Sequence, residues 1–423
     1  MKRSMKRSMT RSGYGIPTRR QVLGGLAALG AGGVGPLVGL RAPAYADDGD
    51  IPIGMVLPFS GATGAYGPDM KKAAEIVVKT INDAGGLLGG RKLRLFIEDT
   101  ETNPTVAVAA TKKLLEVNKV EAVAGFWGSP EALAAKPITL AASKVMMVSA
   151  AANAITEGET KGLVWRFQAK STQWGPAGAK VMHGLGLKKV ALLAQQNAFV
   201  IAMIEPFKAE MAKLGGAVTQ TVVYNPDQPS YRAEVEKIFG PEPEGVFCLS
   251  LLTDFASIAK EVYRGGFHSK ITSLSIGADA EGKFLQNVGA EVAEGIHHLQ
   301  PAPPLDTPSY KKFVRLMGAP DDAVFLFAGN AHDQICTVAL AIEKAKSQDA
   351  ALWSKAIPEV CNPPGEQVDD IVKALEMVRA GKKIDFVGAG ATCDFDANGD
   401  QINRSFLHQV IEKGKNRIVG IVT

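Results

Sequence analysis

Cysteine is scarce in this sequence: 423 residues hold four, and none stands in a C-x-x-C pair. A chain this long buries a large core, so covalent staples are not needed to keep it folded. Local catalytic signatures are missing too. There is no G-x-S-x-G elbow, no Walker loop and no H-E-x-x-H, which removes the marks of serine hydrolases, P-loop enzymes and zinc hydrolases. A nucleophile assembled in space from distant residues stays open. Acidic residues are absent before Asp47, where eight of the 47 basic residues stand. The remainder carries 39 basic against 43 acidic residues, a net of −4. A mildly acidic body has no phosphate-seeking surface, so nucleic acid is not an expected partner. What is present fits a soluble globular chain, with 46% apolar and 21% charged residues. The length allows two or three domains of about 150 residues each.

The first 46 residues read as an address. A basic start leads into a Gly-rich, weakly apolar run over 22–40, then Ala44-Tyr45-Ala46, the small-x-small pattern of a signal-peptidase site. Thr18-Arg19-Arg20-Gln21-Val22-Leu23 resembles a twin-arginine export motif, with an ordinary secretory signal as the alternative. The expectation is cleavage after Ala46 and a periplasmic location. Gly30-Ala31-Gly32-Gly33-Val34-Gly35 fits G-x-G-x-x-G. A dinucleotide fingerprint must follow a strand and open a helix, so inside an address segment it implies no cofactor. None is expected elsewhere.

From Ile51 onward the pattern alternates. Short apolar runs at 51–58, 93–97, 121–126 and 145–150 read as strands, and 69–82, 105–117 and 130–143 place apolar residues at helical spacing. The rhythm restarts with helices at 174–184, 201–214, 231–239 and 254–264 and strands at 189–194, 217–224, 245–250 and 271–276. Repeated βα units of this length predict parallel sheets with helices on both faces, here two of them. After Pro301-Ala302-Pro303-Pro304 the tail reads as helices at 310–317, 323–346 and 367–380, then short strands at 392–395, 405–412 and 417–422. A helical block in that place predicts that the chain crosses back to finish the first lobe. Open α/β sheets bind ligands outside the carboxyl ends of their strands, which puts a crevice between the lobes.

Particular residues carry a resemblance. Ile53-Gly54-Met55-Val56-Leu57-Pro58-Phe59-Ser60-Gly61, followed by Tyr66-Gly67, resembles the first strand and loop of the leucine/isoleucine/valine-binding type of periplasmic receptor. Ala84-Gly85-Gly86-Leu87-Leu88-Gly89-Gly90-Arg91-Lys92-Leu93 is similar to that family's helix-to-strand turn. So is Glu98-Asp99-Thr100 through Asn103-Pro104, and Cys393-Asp394-Phe395-Asp396-Ala397-Asn398-Gly399-Asp400 resembles its closing turn. The likeness runs in order over nearly the whole chain after residue 46. It implies an α/β fold of the type I periplasmic binding protein: two doubly wound parallel-sheet lobes joined by three hinge crossings, near Gln168, Gln300 and Gly390. Lobe 1 would hold 47–169 and 300–390, and lobe 2 would hold 170–299 and 391–423, with 1–46 removed as a signal peptide. The implied function is the substrate-binding component of an ABC uptake transporter, without catalysis, working as a monomer with an inner-membrane ABC permease. Lobe closure would take up an amino acid or a related small amide or carboxylate. Two rivals stay open: a ligand sensor of the same fold that signals to a protein partner, and a periplasmic hydrolase.

The resemblance also places the ligand contacts. Tyr66, Ser129, Ala151 and Asn153 would come from the first lobe, with Phe126 and Trp127 nearby favouring a flat or apolar ligand body. Ser129 begins a helix and is placed to meet a carboxylate, helped by the free N–H groups there. Phe199, a residue near Leu251, and Asp279 would come from the second lobe, Asp279 facing a ligand ammonium as a charge-assisted acceptor. Asn153 departs from the hydroxyl residue expected at its place. The loop Gln195-Gln196-Asn197-Ala198-Phe199-Val200 lacks the family's acid and Tyr-Gly. Each contact has a plainer alternative: Trp127 and Phe199 as packing residues, Asp279 as a cap on the next helix, Tyr66 as a surface residue. Cys361 and Cys393 both lie beside lobe-linking segments. The export address permits a disulfide between them, the alternative being four thiols. Asp394-x-Asp396-x-Asn398-Gly399 imitates the start of a calcium loop, but Ser405 stands where a Glu is needed. His297-His298 has no acid or cysteine at ligand spacing. No metal site is expected at either.

Overall fold

The computed structural model describes residues 49–61, 63–279, 282–402 and 405–422. The address segment 1–46, with its cleavage site and its glycine decoy, lies outside them. Strand β1 (Ile51–Leu57) is buried along its whole length, as an apolar strand is when helices cover both faces of its sheet. Helix α1 (Gly67–Asp83) turns Met70, Ala73, Ala74, Val77 and Ile81 inward at helical spacing. It stops where Gly85 and Gly86 take positive φ and the Gly86 N–H donates to the Ile81 carbonyl at 2.9 Å. Then come β2 (Leu93–Asp99), α2 (Pro104–Glu116), β3 (Ala122–Gly125), α3 (Ser129–Ala141), β4 (Val145–Val148) and β5 (Val164–Arg166). The five strands run parallel in the order β2-β1-β3-β4-β5.

The second sheet takes over from α4 (Ser171–Gly184). It is built through β6 (Lys189–Gln195), α5 (Ala198–Lys213), β7 (Ala217–Tyr224), α6 (Arg232–Phe239), β8 (Gly245–Leu249), α7 (Leu252–Gly265) and β9 (Lys270–Leu274). Three short helices, α8 (Ser275–Ala278), α9 (Lys283–Val288) and α10 (Ala290–Ala293), lead to β10 (His297–Pro301). The chain then returns to the first sheet through α11 (Pro308–Leu316), α12 (Ala328–Ala345), α13 (Ala350–Cys361), β11 (Glu366–Val368), α14 (Ile371–Arg379) and β12 (Ile384–Phe386). Helix α12 is buried from Ala328 to Ile342. Its Gln334 locks the return: Nε2 donates to Ser149 Oγ at 2.9 Å, and Oε1 accepts the Gly125 N–H at 2.8 Å. Finally β13 (Phe406–Glu412) and β14 (Lys415–Val422) close the second sheet as β14-β13-β10-β9-β8-β6-β7. The hairpin strands β13 and β14 are antiparallel, so this sheet is mixed.

Two local readings change in the tail. The segment read as one helix over 367–380 is strand β11 followed by α14. Asp370 makes the break by accepting the Val372 and Lys373 N–H groups. The strand expected over 392–395 gives way to a turn closed by a bridge between Phe395 and Gln401, in which Asp396 Oδ1 accepts the Asn398 and Asp400 N–H groups at 2.8 and 3.0 Å, so this acid is committed to its own backbone.

One buried ion pair fastens this turn to the end of β5. Arg166 is fully buried. Its Nε donates to Asp400 Oδ1 at 2.7 Å, Nη1 to the carbonyls of Ala150 and Ala152, and Nη2 to the Asn153 carbonyl and Thr156 Oγ1. Lys170 reaches the other Asp400 oxygen at 3.1 Å. Burial works against the Asp400 charge. The Arg166 charge and the hydrogen bonds from Thr156, Arg166 and Lys170 prevail and hold its carboxyl below the usual range. Removing one member strands the other in a dry site, so Asp400→Ala should cost roughly 3–5 kcal/mol. Urea unfolding reads this, and a loss under about 1 kcal/mol would show that the pair is not what ties the crossings together.

The expected Cys361–Cys393 disulfide is not formed, and all four cysteines are buried thiols. The two sulfurs face different partners. Cys361 Sγ is 3.7 Å from Thr337 Oγ1 on the inner side of α12, whereas Cys393 Sγ lies against Gly388. Burial pushes the Cys361 thiol up to about 12. A thiol count on the unreduced, denatured protein should therefore find four reactive groups, and a count of two would restore the bond.

His297 Nδ1 and His408 Nε2 stand 2.9 Å apart on the β10–β13 pair. This contact needs one imidazole to donate and the other to accept. Burial, helped by the charges of Lys270, His298 and Arg417 around His297, lowers that residue from 6.5 to about 4. Burial and its histidine neighbours do the same to His408. Between those values the unfolded chain takes up protons that the folded chain refuses, so stability falls as pH drops from 6.5 to 4. Urea titrations should show a shallower fall across that window for the double variant His297→Gln, His408→Gln. An identical slope would remove the pair as its source.

Candidate ligand-binding cleft

The strand ends of the two sheets open into one cleft of about 490 Å³, within the usual span of small-molecule sites. Gly125 makes the first wall possible. Its φ is +98°, and a Cβ there would lie 2.4 Å from the Val56 carbonyl oxygen. Only glycine lets the chain leave β3 so sharply. The residues that follow, Trp127, Gly128 and Ser129, line the cleft at the start of α3. Trp127 is held by aromatic packing: Tyr66 stacks on it at 5.1 Å and 15°, and Phe327 meets it edge-on at 5.3 Å. Ser129 Oγ accepts the Ala152 N–H at 3.1 Å, which brings the loop after β4 to the mouth of α3.

The second wall comes from the loops after β6, β8 and β9. Gln195 Oε1 accepts the Leu251 N–H at 3.1 Å and so fixes two of these loops to each other. Asn197 caps α5 by accepting the Val200 N–H at 2.9 Å. Phe199 stands edge-on to Trp174 at 5.3 Å. Trp174, Phe199, Leu251 and Ile276 give this side an apolar surface.

Of the residues singled out from sequence, Trp127, Ser129, Ala151, Phe199 and Leu251 line this cleft together. Three do not. Tyr66 is buried behind Trp127 as its stacking support rather than exposed to the cleft. Asn153 belongs to a neighbouring polar depression with Lys170 and Asp400, and its Oδ1 faces the Thr172 N–H and hydroxyl at 3.4 Å. Asp279 does not line the cleft, because the strand expected over 271–276 stops at Leu274 and the chain turns at once into α8. Asp279 therefore falls after that turn, where Oδ1 accepts the Gly282 N–H at 3.1 Å.

Several lining residues lie outside those expected from sequence. Glu131 and Asp254 are buried acids in the first turns of α3 and α7. An acid three residues into a helix that follows a strand was the available signal. Burial raises the Glu131 carboxyl above its ordinary value, against the pull of its own N–H. Burial also raises Asp254, against hydrogen bonds from Tyr231, Asp227 and Tyr224. Phe327 and Gln168 come from the tail and from the first crossing, places where no local pattern marks a contact.

Known proteins share this architecture. A Leu/Ile/Val-binding protein homolog of Brucella melitensis is 24% identical over 81% of this chain and 90% of its own. The solved leucine-binding protein LivK of Thermotoga maritima superposes with a TM-score of 0.74 at 21% identity, over 88% of this chain and 99% of its own. A solute-binding protein of R. palustris, solved with 4-hydroxybenzoate, gives 0.69 at 21% identity, over 88% of this chain and 97% of its own. The family model described as periplasmic binding protein matches residues 50–403, and the chain, with its two sheets and its cleft between strand ends, belongs to that family.

Proposed function

We propose that this chain is the extracytoplasmic substrate-binding component of an ABC uptake transporter, taking up an amino acid or a related small amide or carboxylate. The observation that carries the reading is the shared cleft. Trp127, Ser129 and Ala151 line it from one side, and Phe199 and Leu251 from the other. A solute bound there touches both walls only when they approach, so binding selects the closed form. Trp127, Trp174, Phe199 and Phe327 favour a flat or apolar ligand body. Ser129 Oγ already accepts an N–H and keeps its own hydrogen for a ligand oxygen. Trp127 Nε1, which has no hydrogen-bond partner among the described residues, serves a ligand oxygen in the same way.

The protein binds and releases its solute unchanged. The two serines of the cleft meet amide groups, Ser129 the Ala152 N–H and Ser149 the Gln334 amide, rather than a base that would activate them. Segment 1–46 acts as a twin-arginine signal, cut after Ala46, which delivers a monomer to the periplasm. There its closed form meets the inner-membrane permease. The relatives named for leucine and for branched-chain amino acids support an amino acid, and the one solved with 4-hydroxybenzoate supports room for a ring.

The test is a thermal-shift screen against amino acids, amides, urea and aromatic acids, followed by small-angle scattering. A ligand at a hundred times its Kd stabilises by about 2.7 kcal/mol, and closure should shrink the radius of gyration. Tryptophan emission should change on binding, because Trp127 and Trp174 line the cleft. A screen without a stabilising compound, together with unchanged scattering, would sink the receptor reading.

A further inference from the structure

Strand β10 opens with His297-His298, and consecutive residues on a strand face opposite sides of its sheet. On its side His298 is fully engaged: Nδ1 meets Ser275 Oγ at 2.7 Å, and Nε2 meets Asn416 Oδ1 at 2.9 Å. His297 faces the other way. Its partner comes from β13, 111 residues further on, where His408 stands diagonally across the antiparallel pair. His297 Nδ1 and His408 Nε2 approach to 2.9 Å, with ring centroids 5.1 Å apart and 40° between the planes. Among the described residues the two rings hydrogen-bond only each other. No ligand spacing along β10 marks this pair, because its second ring is supplied by the register of the sheet.

Two imidazole nitrogens at this separation form a coordination edge. An ion bound to them at about 2.0–2.1 Å holds them about 2.9 Å apart at a right angle, and about 3.4 Å apart at the tetrahedral angle. The observed 2.9 Å therefore suits neighbouring corners of a square-planar or tetragonal ion, the preference of Cu(II) and Ni(II). Tetrahedral Zn(II) asks the rings to part by about 0.5 Å. Ligation needs neutral imidazole, and both rings are neutral at pH 7, since burial lowers each to about 4. The ring that donates in the present contact carries its hydrogen on the other nitrogen once an ion is bound, so no proton has to leave.

The surroundings admit a cation. His408 is 7% exposed and His297 is half-buried, so an ion reaches the pair from solvent past His297. The charge of Arg417 is met by both oxygens of Glu412 at 2.7 Å. Lys270 also faces His297, but it is exposed, where water and salt screen its repulsion. Among the described residues no third His, Cys, Asp or Glu completes a cluster, so water takes the ion's remaining positions.

We propose that His297 and His408 form a site for one divalent transition-metal ion, with Cu(II) held more tightly than Ni(II) or Zn(II). Bound there, the ion clips the closing hairpin of β13 and β14 onto β10. The site is independent of the receptor reading: His297 is at the amino end of β10, whereas the solute cleft lies beyond the carboxyl ends of the strands.

Calorimetry with CuCl2, NiCl2 and ZnCl2 on the purified, tag-free, metal-stripped protein tests this, together with electron paramagnetic resonance of the Cu(II) form. The parent should take up one Cu(II) whose spectrum shows coupling to two imidazole nitrogens. H297Q and H408Q should each weaken Cu(II) by about 30-fold or more and leave one coupled nitrogen. H183Q and H268Q, which change exposed histidines elsewhere, should alter the Kd by less than about threefold. If neither ligand variant folds, the nitrogen count on the parent decides the matter alone. Fewer than two coupled imidazoles in the parent, unchanged affinity in the folded variants, or an affinity lost instead in H183Q or H268Q would overturn the proposal. Solute binding and closure are read by separate measurements, so that result leaves the receptor reading standing.

Discussion

Arg166 sets all five of its N–H donors on one small region, and most of the functional geometry follows from where they land. Asp400 holds one, and the carbonyls of Ala150, Ala152 and Asn153 with the Thr156 hydroxyl hold the rest. The same guanidinium therefore fixes two things: the point where the last crossing passes β5, and the loop that carries Ala151 into the cleft. A charge this deep is tolerated only because every donor is met. The loop cannot drift without unpairing the closing turn, so this turn and one wall of the site are fastened to each other.

The walls of the cleft divide the remaining work. Aromatic contacts among Tyr66, Trp127 and Phe327 give the first wall a stiff face that needs no ligand to hold its shape. The polar groups left unmet on that wall among the described residues, Trp127 Nε1 and Glu131 Oε2, are ones folding has not satisfied. Binding sites often hold such frustrated groups at a cost in stability, because a solute that meets them gains what the fold forgoes.

The alternation of apolar runs and helical spacing made most of the architecture legible, because parallel strands covered on both faces must be apolar throughout. Four of the seven ligand contacts expected by position, Ser129, Ala151, Phe199 and Leu251, also line one cleft, with Trp127 beside them. The departures have specific physical causes. A place for Asp279 in the cleft requires a strand that runs to residue 276, and a strand-to-helix turn two residues earlier carries its side chain elsewhere. Tyr66 lies at the right place in sequence but serves Trp127 through ring stacking, which no linear pattern encodes. Glu131 and Asp254 look like ordinary first-turn acids along the chain, and only the fold shows that both are buried in the lining of one cavity. Cys361 and Cys393 are close to the same crossings along the chain, yet the fold points their sulfurs at different neighbours.

Those sulfurs have a wider consequence. Since Cys248, Cys336, Cys361 and Cys393 are all enclosed as thiols, this protein requires no oxidant to reach its final shape. No disulfide has to form or reshuffle on the way to this fold, so its assembly waits on no sulfur chemistry.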